Sequence, residues 1–306
     1  MIVVRLIGGL GNQMFQYSLG KHLALTNNTD LKIDVSLLED HSSKSEKQVH
    51  RNFELDVFKM DVQFCSEKEK IYFNGKPRKK LIGKTYNFIR NFFTKERLVI
   101  EKGRGFNKKV KTIKGNRCIV GGWQSPIYFA EIRKELIGLF TLSEKVLNKS
   151  SFQNYETLIK RTPNSTGLHV RRGDYVTNKY YNNLLGVLPK GYYEKAVNII
   201  EKKCNQLSIF IFSDDMEWCK KNLSFNHKVI FVQNEKSKFG AAADMKLMSL
   251  CEHQIISNST FAWWAAWLNV NELKTVIAPQ QWVNKKYLNN PNVHSVDIIP
   301  SDWQVV

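Results

Sequence analysis

Four short segments carry side chains that could do chemistry. The richest is His169-Val170-Arg171-Arg172-Gly173-Asp174. In an extended chain His169 and Arg171 share one face and Arg172 takes the other, because strand side chains alternate. An arginine fork at a strand end suits a diphosphate and stays charged under all conditions. One arginine could meet phosphates while its neighbour pairs with Asp174 and holds the loop. The plainer reading is that both arginines form structural ion pairs, since charged groups are rarely buried unpaired. Ser213-Asp214-Asp215 offers adjacent carboxylates without the alternating D-x-D spacing expected of a cation site on a diphosphate. An aspartate here could accept paired N–H donors from a guanine edge, or simply cap a helix. Ser257-Asn258-Ser259-Thr260 precedes an apolar helical run, where hydroxyls and free N–H groups form an anion site. Ordinary capping needs only one such residue. Gly8-Gly9-Leu10-Gly11-Asn12 invites a dinucleotide reading, with Asp34 downstream, but Met14 stands where that fingerprint needs a third glycine. The alternatives are a turn that lets backbone amides and Asn12 approach a sugar or phosphate, or a bare strand-to-helix turn.

Each segment follows an apolar run, and those runs must position it. Met1 to Leu6 reads as a buried strand ended by glycines, 11–25 as a helix with Met14, Phe15, Leu19, Leu23 and Ala24 on one side, and 31–35 as a second strand. Helices are expected over 127–139 and 143–155, and a strand over 118–120. A second series starts after Pro163-Asn164-Ser165, with strands at 166–170, 208–212, 228–232, 254–257 and 275–278. A polar loop follows Arg171, and helices fall at 189–203, 241–251 and 259–268. Trp263, Trp264 and Trp267 read as core. Strand–helix alternation predicts parallel sheets with helices on both faces, and ligands bind such sheets at the C-terminal strand ends. The division expected is 1–155 and 156–306.

The chain has 306 residues, 42% hydrophobic and 24% charged, which excludes a disordered or fibrous protein. Five scattered cysteines without a CxxC pair argue against a disulfide scaffold or zinc site. The apolar runs fall far short of the about 20 residues of a membrane span. Arg5 breaks the first run, so no secretory signal is expected, and the protein reads as cytoplasmic, soluble or peripheral. Its net charge of +18 is concentrated: 76–117 holds 15 basic residues against Glu96 and Glu101. Leu81, Ile82, Tyr86, Phe88, Ile89, Phe92 and Phe93 recur within it at a spacing that suggests an amphipathic basic helix. An anionic membrane surface and a solvated face compete as explanations; nucleic acid is disfavoured because no recognisable module accompanies the charge.

The motifs Gly8 to Tyr17, His169 to Tyr175, Ser213 to Asp215 and Ser257 to Leu268 together resemble the bacterial α-1,2-fucosyltransferases, in the right order across nearly the whole chain. The HxRRxD element is the most specific. The resemblance implies an α/β, GT-B-like fold of two Rossmann-like domains facing a central cleft. Residues 1–155 would form the acceptor side and 156–306 the GDP-fucose side. It implies GDP-fucose as donor, inversion at the anomeric carbon, no required metal or other cofactor, and a galactoside or lipid-linked oligosaccharide as acceptor. By the same resemblance Arg171 sits on the β-phosphate as the catalytic cation. His169, Arg172, Asp214 and Asp215 lie near the nucleotide, and Ser257, Asn258, Ser259 and Thr260 near the phosphates. Gly9, Gly11 and Asn12 reach the donor from the other half. Asp174 is either a general base or the residue that holds the loop. The rivals are another GDP-sugar transferase on the same fold and a basic polysaccharide- or nucleic-acid-binding protein.

Overall fold

The computed structural model describes residues 1–40, 51–74, 97–103, 105–204, 206–288, 290, 293 and 296–306. The aromatic run of the expected basic helix (81–93) and the polar stretch 41–48 lie outside these residues. The architecture is α/β with two wholly parallel sheets. The first contains β1 (Ile2–Arg5), β2 (Leu31–Asp34), β3 (Leu98–Ile100) and β4 (Arg117–Val120), in the order β2-β1-β4-β3. The second contains β5 (Ser165–Val170), β6 (Ser208–Ser213), β7 (Lys228–Phe231), β8 (His253–Ile255), β9 (Val276–Ala278) and β10 (Gln304–Val305), in the order β10-β9-β8-β5-β6-β7. β1 and β5 lie inside their sheets and read as unbroken buried runs because both faces are covered.

Two helices join the sheets into one core. The central helix, Leu10–Thr26, is buried nearly all round rather than on the single face its periodicity suggested. Two of its buried polar side chains are satisfied locally. The Gln16 amide exchanges hydrogen bonds with the Ile7 backbone at 3.0 and 3.1 Å, and the Ser18 hydroxyl donates to Met14 O at 2.7 Å. The tryptophan helix, Thr260–Leu268, covers its other side. Phe15 lies 4.5 Å from Trp263 and 5.1 Å from Trp264, and Phe129 stacks on Trp264 at 5.6 Å. The two helices touch at Gly11, where a Cβ would stand 2.7 Å from the Thr260 carbonyl carbon. Trp264 Nε1 donates to Gly11 O at 2.9 Å across that contact. Trp263, Trp264 and Trp267 are thus core residues, as their size predicts.

The irregular regions depart from expectation. The stretch 127–139 is two 3-10 turns, Pro126–Tyr128 and Ala130–Ile132, before helix Arg133–Leu139, because Tyr128 and Phe129 both turn into the core. The stretch 143–155 splits into Glu144–Leu147 and Ser150–Arg161. Position 155 therefore falls inside a helix, one that packs against helix Lys238–Leu250. The chain after Arg171 is not a polar loop: it forms helices Gly173–Thr177 and Lys179–Leu184, with the Asn178 side chain capping the second.

Candidate active site

The four segments singled out above all sit at C-terminal strand ends. β5 lies between β6 and β8, so His169 to Asp174, Ser213 to Asp215 and Ser257 to Thr260 are adjacent. Gly8–Asn12 follows β1 and meets them through the Gly11–Thr260 contact.

Arg171 is the hub. Its Nη2 donates to Asp174 Oδ1 at 2.6 Å, and its Nη1 lies 2.9 Å from Asp214 Oδ2. Burial opposes the charge, but Asp214 and Asp174 outweigh it and hold the guanidinium above its ordinary range. Two carboxylates gripping one fork leave it little rotational freedom. Gly173 makes room for this grip, since a Cβ there would lie 2.4 Å from Asp214 Oδ2. Arg172 turns the other way. Its Nε donates to Asp215 Oδ2 at 2.9 Å, its guanidinium lies 4.3 Å from the Trp218 ring centroid, and its backbone N–H donates to Asp214 Oδ1 at 2.8 Å. Asp215 also caps helix Met216–Asn222, accepting from Trp218 N at 3.2 Å.

Both arginines make the ion pairs of the plainer reading, and of the two it is Arg171 that Asp174 holds. Through Oδ2, Asp174 also accepts from Arg51 Nη2 at 2.9 Å. Asp214 and Asp215 grip the two arginines, and Asp215 fulfils the capping alternative.

His169 is fully enclosed. Its Nδ1 lies 2.7 Å from Ser257 Oγ, and its ring is 5.1 Å from Phe261. Burial, with Arg171 adding to it, pushes the imidazole down to about 3, so it is neutral at physiological pH. Asn258 rivets the loop, donating to Leu185 O at 3.0 Å, while its own backbone carbonyl accepts from Tyr175 OH at 3.0 Å. Ser259 is the N-cap residue of the tryptophan helix without making a side-chain cap bond. That helix start, carrying partial positive charge, lies beside Thr260 and the Gly11 turn. Gly8 holds the left-handed φ of +76° that the β1 turn requires. Asn12 Oδ1 accepts from Gln124 Nε2 at 2.9 Å. Gly9 faces Arg51 and Glu54, a Cβ there lying 3.8 Å from Glu54 Oε2.

Sequence reasoning missed Arg51, Glu54 and Asp244. Glu54 Oε2 accepts from Leu10 N at 2.7 Å, serving as the cap that Gly9 cannot supply, and burial raises its carboxyl. Asp244, on helix Lys238–Leu250, accepts from Asn234 Nδ2 at 2.6 Å and is pushed up to about 7 by burial. No local pattern marks these three; a lone charge in an irregular stretch acquires meaning only from what folds against it. Among the described residues no group of three or more His, Cys, Asp or Glu is arranged to hold a metal ion, and no helix is long and apolar enough to cross a membrane.

Two parallel sheets with helices between them and an arginine–aspartate cluster at the strand ends define a GT-B-like glycosyltransferase fold. The chain is similar in fold to the crystal structure of fucosyltransferase NodZ from Bradyrhizobium, with a TM-score of 0.51 and 13% identity over 86% of this chain and 91% of that one. It belongs to glycosyl transferase family 11, whose model matches residues 1–304. It is 33% identical to an alpha-1,2-colitosyltransferase of Escherichia coli, over 99% of this chain and 98% of that protein. It is also 34% identical to the O-antigen biosynthesis glycosyltransferase WbnK of Escherichia coli, over 90% and 93% of the two chains.

Proposed function

We propose that the protein is an inverting galactoside α-1,2-fucosyltransferase that takes L-fucose from GDP-fucose. The observation that carries this reading is Arg171, gripped by Asp174 and Asp214 at the end of the central strand β5. Cleavage of the fucose–phosphate bond leaves positive character on the anomeric carbon and charge on the departing diphosphate. A cation fixed in advance stabilises those oxygens without proton transfer or reorganisation. Arg171 fills that role, and the start of the tryptophan helix, which has no side-chain cap bond, offers N–H donors. Arg172, His169 and Ser257 to Thr260 build the donor side, with His169, Ser257 and Asn258 supporting it from beneath its surface; Gly9, Gly11 and Asn12 approach from the β1 turn. Asp174 acts as the brace of Arg171 rather than as a base, because both its oxygens are engaged by arginines. Residues 1–155 serve the acceptor and 156–306 the nucleotide. A guanidinium in this position makes a divalent cation unnecessary.

Colitose lacks one hydroxyl of fucose, and the 33% identity to an alpha-1,2-colitosyltransferase favours GDP-colitose as a second donor reading. The family resemblance of the HxRRxD element supports fucose. Transfer from each GDP-sugar to a panel of galactosides, with EDTA present, decides between them. Rapid transfer from GDP-fucose is expected, and loss of turnover on chelation would overturn the arginine mechanism. The relative named for O-antigen biosynthesis supports a lipid-linked oligosaccharide acceptor. The basic stretch 76–117 would then dock the enzyme on an anionic membrane. Co-sedimentation with anionic liposomes at low salt, reversed at high salt, is the expected result.

A further inference from the structure

A cavity of about 290 Å³ opens at the C-terminal end of β2, lined by Val35, Leu38, Glu39, Asn52, Phe53 and Phe64. Its construction is unusual for a surface. Phe64 is 49% exposed, although a ring of that size is ordinarily buried. The ring is nevertheless held firmly. Residues 63–65 bridge to β2, with Ile33 N donating to Gln63 O at 2.8 Å and Cys65 N to Ile33 O at 2.9 Å. Phe53 meets Phe64 edge-on at 5.2 Å. Buried Leu38 and half-buried Val35 contribute the remaining apolar wall, while the Glu39 carboxylate and Asn52 amide are exposed at the rim.

A fixed, exposed aromatic face beside a carboxylate and an amide matches a neutral pyranose. The C–H face of the sugar packs on the ring, and its hydroxyls donate to the carboxylate and exchange hydrogen bonds with the amide. Among the described residues the lining holds one carboxylate and no cation, which disfavours a phosphate. The volume lies at the lower edge of small-ligand sites and suits a single sugar ring. The position fits as well. Gln13 Nε2 donates both to Asn52 O and to Gly8 O at 2.8 Å, tying the cavity to the β1 turn. Arg51, one residue before Asn52, reaches across to Asp174 and so to Arg171. A second cavity of about 290 Å³ includes Asp30 and Leu31 at the opposite end of β2.

We propose that the cavity at Phe53 and Phe64 is a subsite for a neutral hexose of the acceptor glycan. The inference rests on the transferase reading above. The test uses the full chain, with lactose, N-acetyllactosamine and methyl β-galactoside as probes, in saturation-transfer NMR and in steady-state kinetics with GDP-fucose. Phe64→Ala should raise the acceptor KM about tenfold. Glu39→Gln should raise it less, and Phe64→Tyr should restore it. GDP affinity by calorimetry and hydrolysis of GDP-fucose without acceptor should stay at the wild-type level in all three. Unchanged acceptor KM and NMR signal in both Phe64→Ala and Glu39→Gln would overturn the subsite while leaving the transferase reading intact. Wild-type protein that binds none of the three sugars would also overturn it. Failure of wild type to bind GDP or hydrolyse GDP-fucose would instead sink the transferase reading.

Discussion

The strand ends of the two sheets are built on different principles. At the end of β5 the side chains are charged and lock one another: Arg171 between Asp174 and Asp214, Arg172 on Asp215. At the end of β1 the turn is neutral, made of glycines, with Gln13 and Asn12 bonded to nearby backbone and amide groups. Of the charged groups that approach this second end, Glu54 accepts from Leu10 N and Arg51 pairs with Asp174 of the first. In the proposed reading the departing diphosphate is met at the β5 end, where two arginines are locked among three aspartates. In the same reading a neutral sugar is met at the β1 and β2 ends by shape and hydrogen bonds. The contrast is between a locked cluster of charges and a turn held by glycines and amides.

The strongest way to break this comparison is to remove the hub. Arg171→Ala should lower turnover by about 10²–10³ while the protein stays folded, because removing one preorganised electrostatic group typically costs that much. Near-normal turnover with an unchanged circular dichroism spectrum would end the electrostatic account. Gly173→Ala attacks the same network through packing. A methyl there must displace the Asp214 carboxylate, so turnover should fall about tenfold. Arg51→Gln should cost less than either, since Arg171 keeps both of its carboxylates; kcat measured at saturating donor would reveal this order. Gly11→Ala tests the seam between the halves. Its methyl meets the Thr260 backbone, and a loss of about 1–3 kcal/mol is expected in denaturant unfolding.

A separate effect is expected in the pH dependence of stability. His169 is held near 3 in the fold against an ordinary 6.5, so between these values the unfolded chain binds a proton that the folded chain refuses. Its contribution therefore falls as pH drops below 6.5. Asp244, raised to about 7 from 3.8, works in the opposite sense, because the folded chain binds the extra proton over that window. Asp244→Asn should remove the opposing slope and steepen the acid loss. Urea titrations of both proteins between pH 4 and pH 7 would reveal it, and parallel curves would refute the assignment.

Much of this site was legible residue by residue. Apolar β-branched runs followed by Gly8, Arg171, Ser213 and Ser257 marked strand ends, and the strand ends proved to be neighbours. The choice of partners was not legible: Asp174 could have held either neighbouring arginine, and it grips Arg171 together with an arginine 123 positions away. The helix Gly173–Thr177 was hidden because its stability comes from contacts such as Tyr175 to the Asn258 carbonyl, not from its own composition. β3 was likewise hidden inside a basic stretch, where pairing with β4 rather than intrinsic pattern makes a strand.

Local chemistry and period belong to the sequence: which segments extend, which coil, and which carry guanidinium, carboxylate or hydroxyl. Those follow from steric and solvation preferences acting over a few residues. The three-dimensional fold alone decided that Arg51 would brace the far sheet, that Gly11 would admit the Thr260 backbone, and that Phe64 would stand exposed beside Glu39. These depend on which distant surfaces pack together, and burial in a shared core, rather than neighbouring residues, sets that outcome.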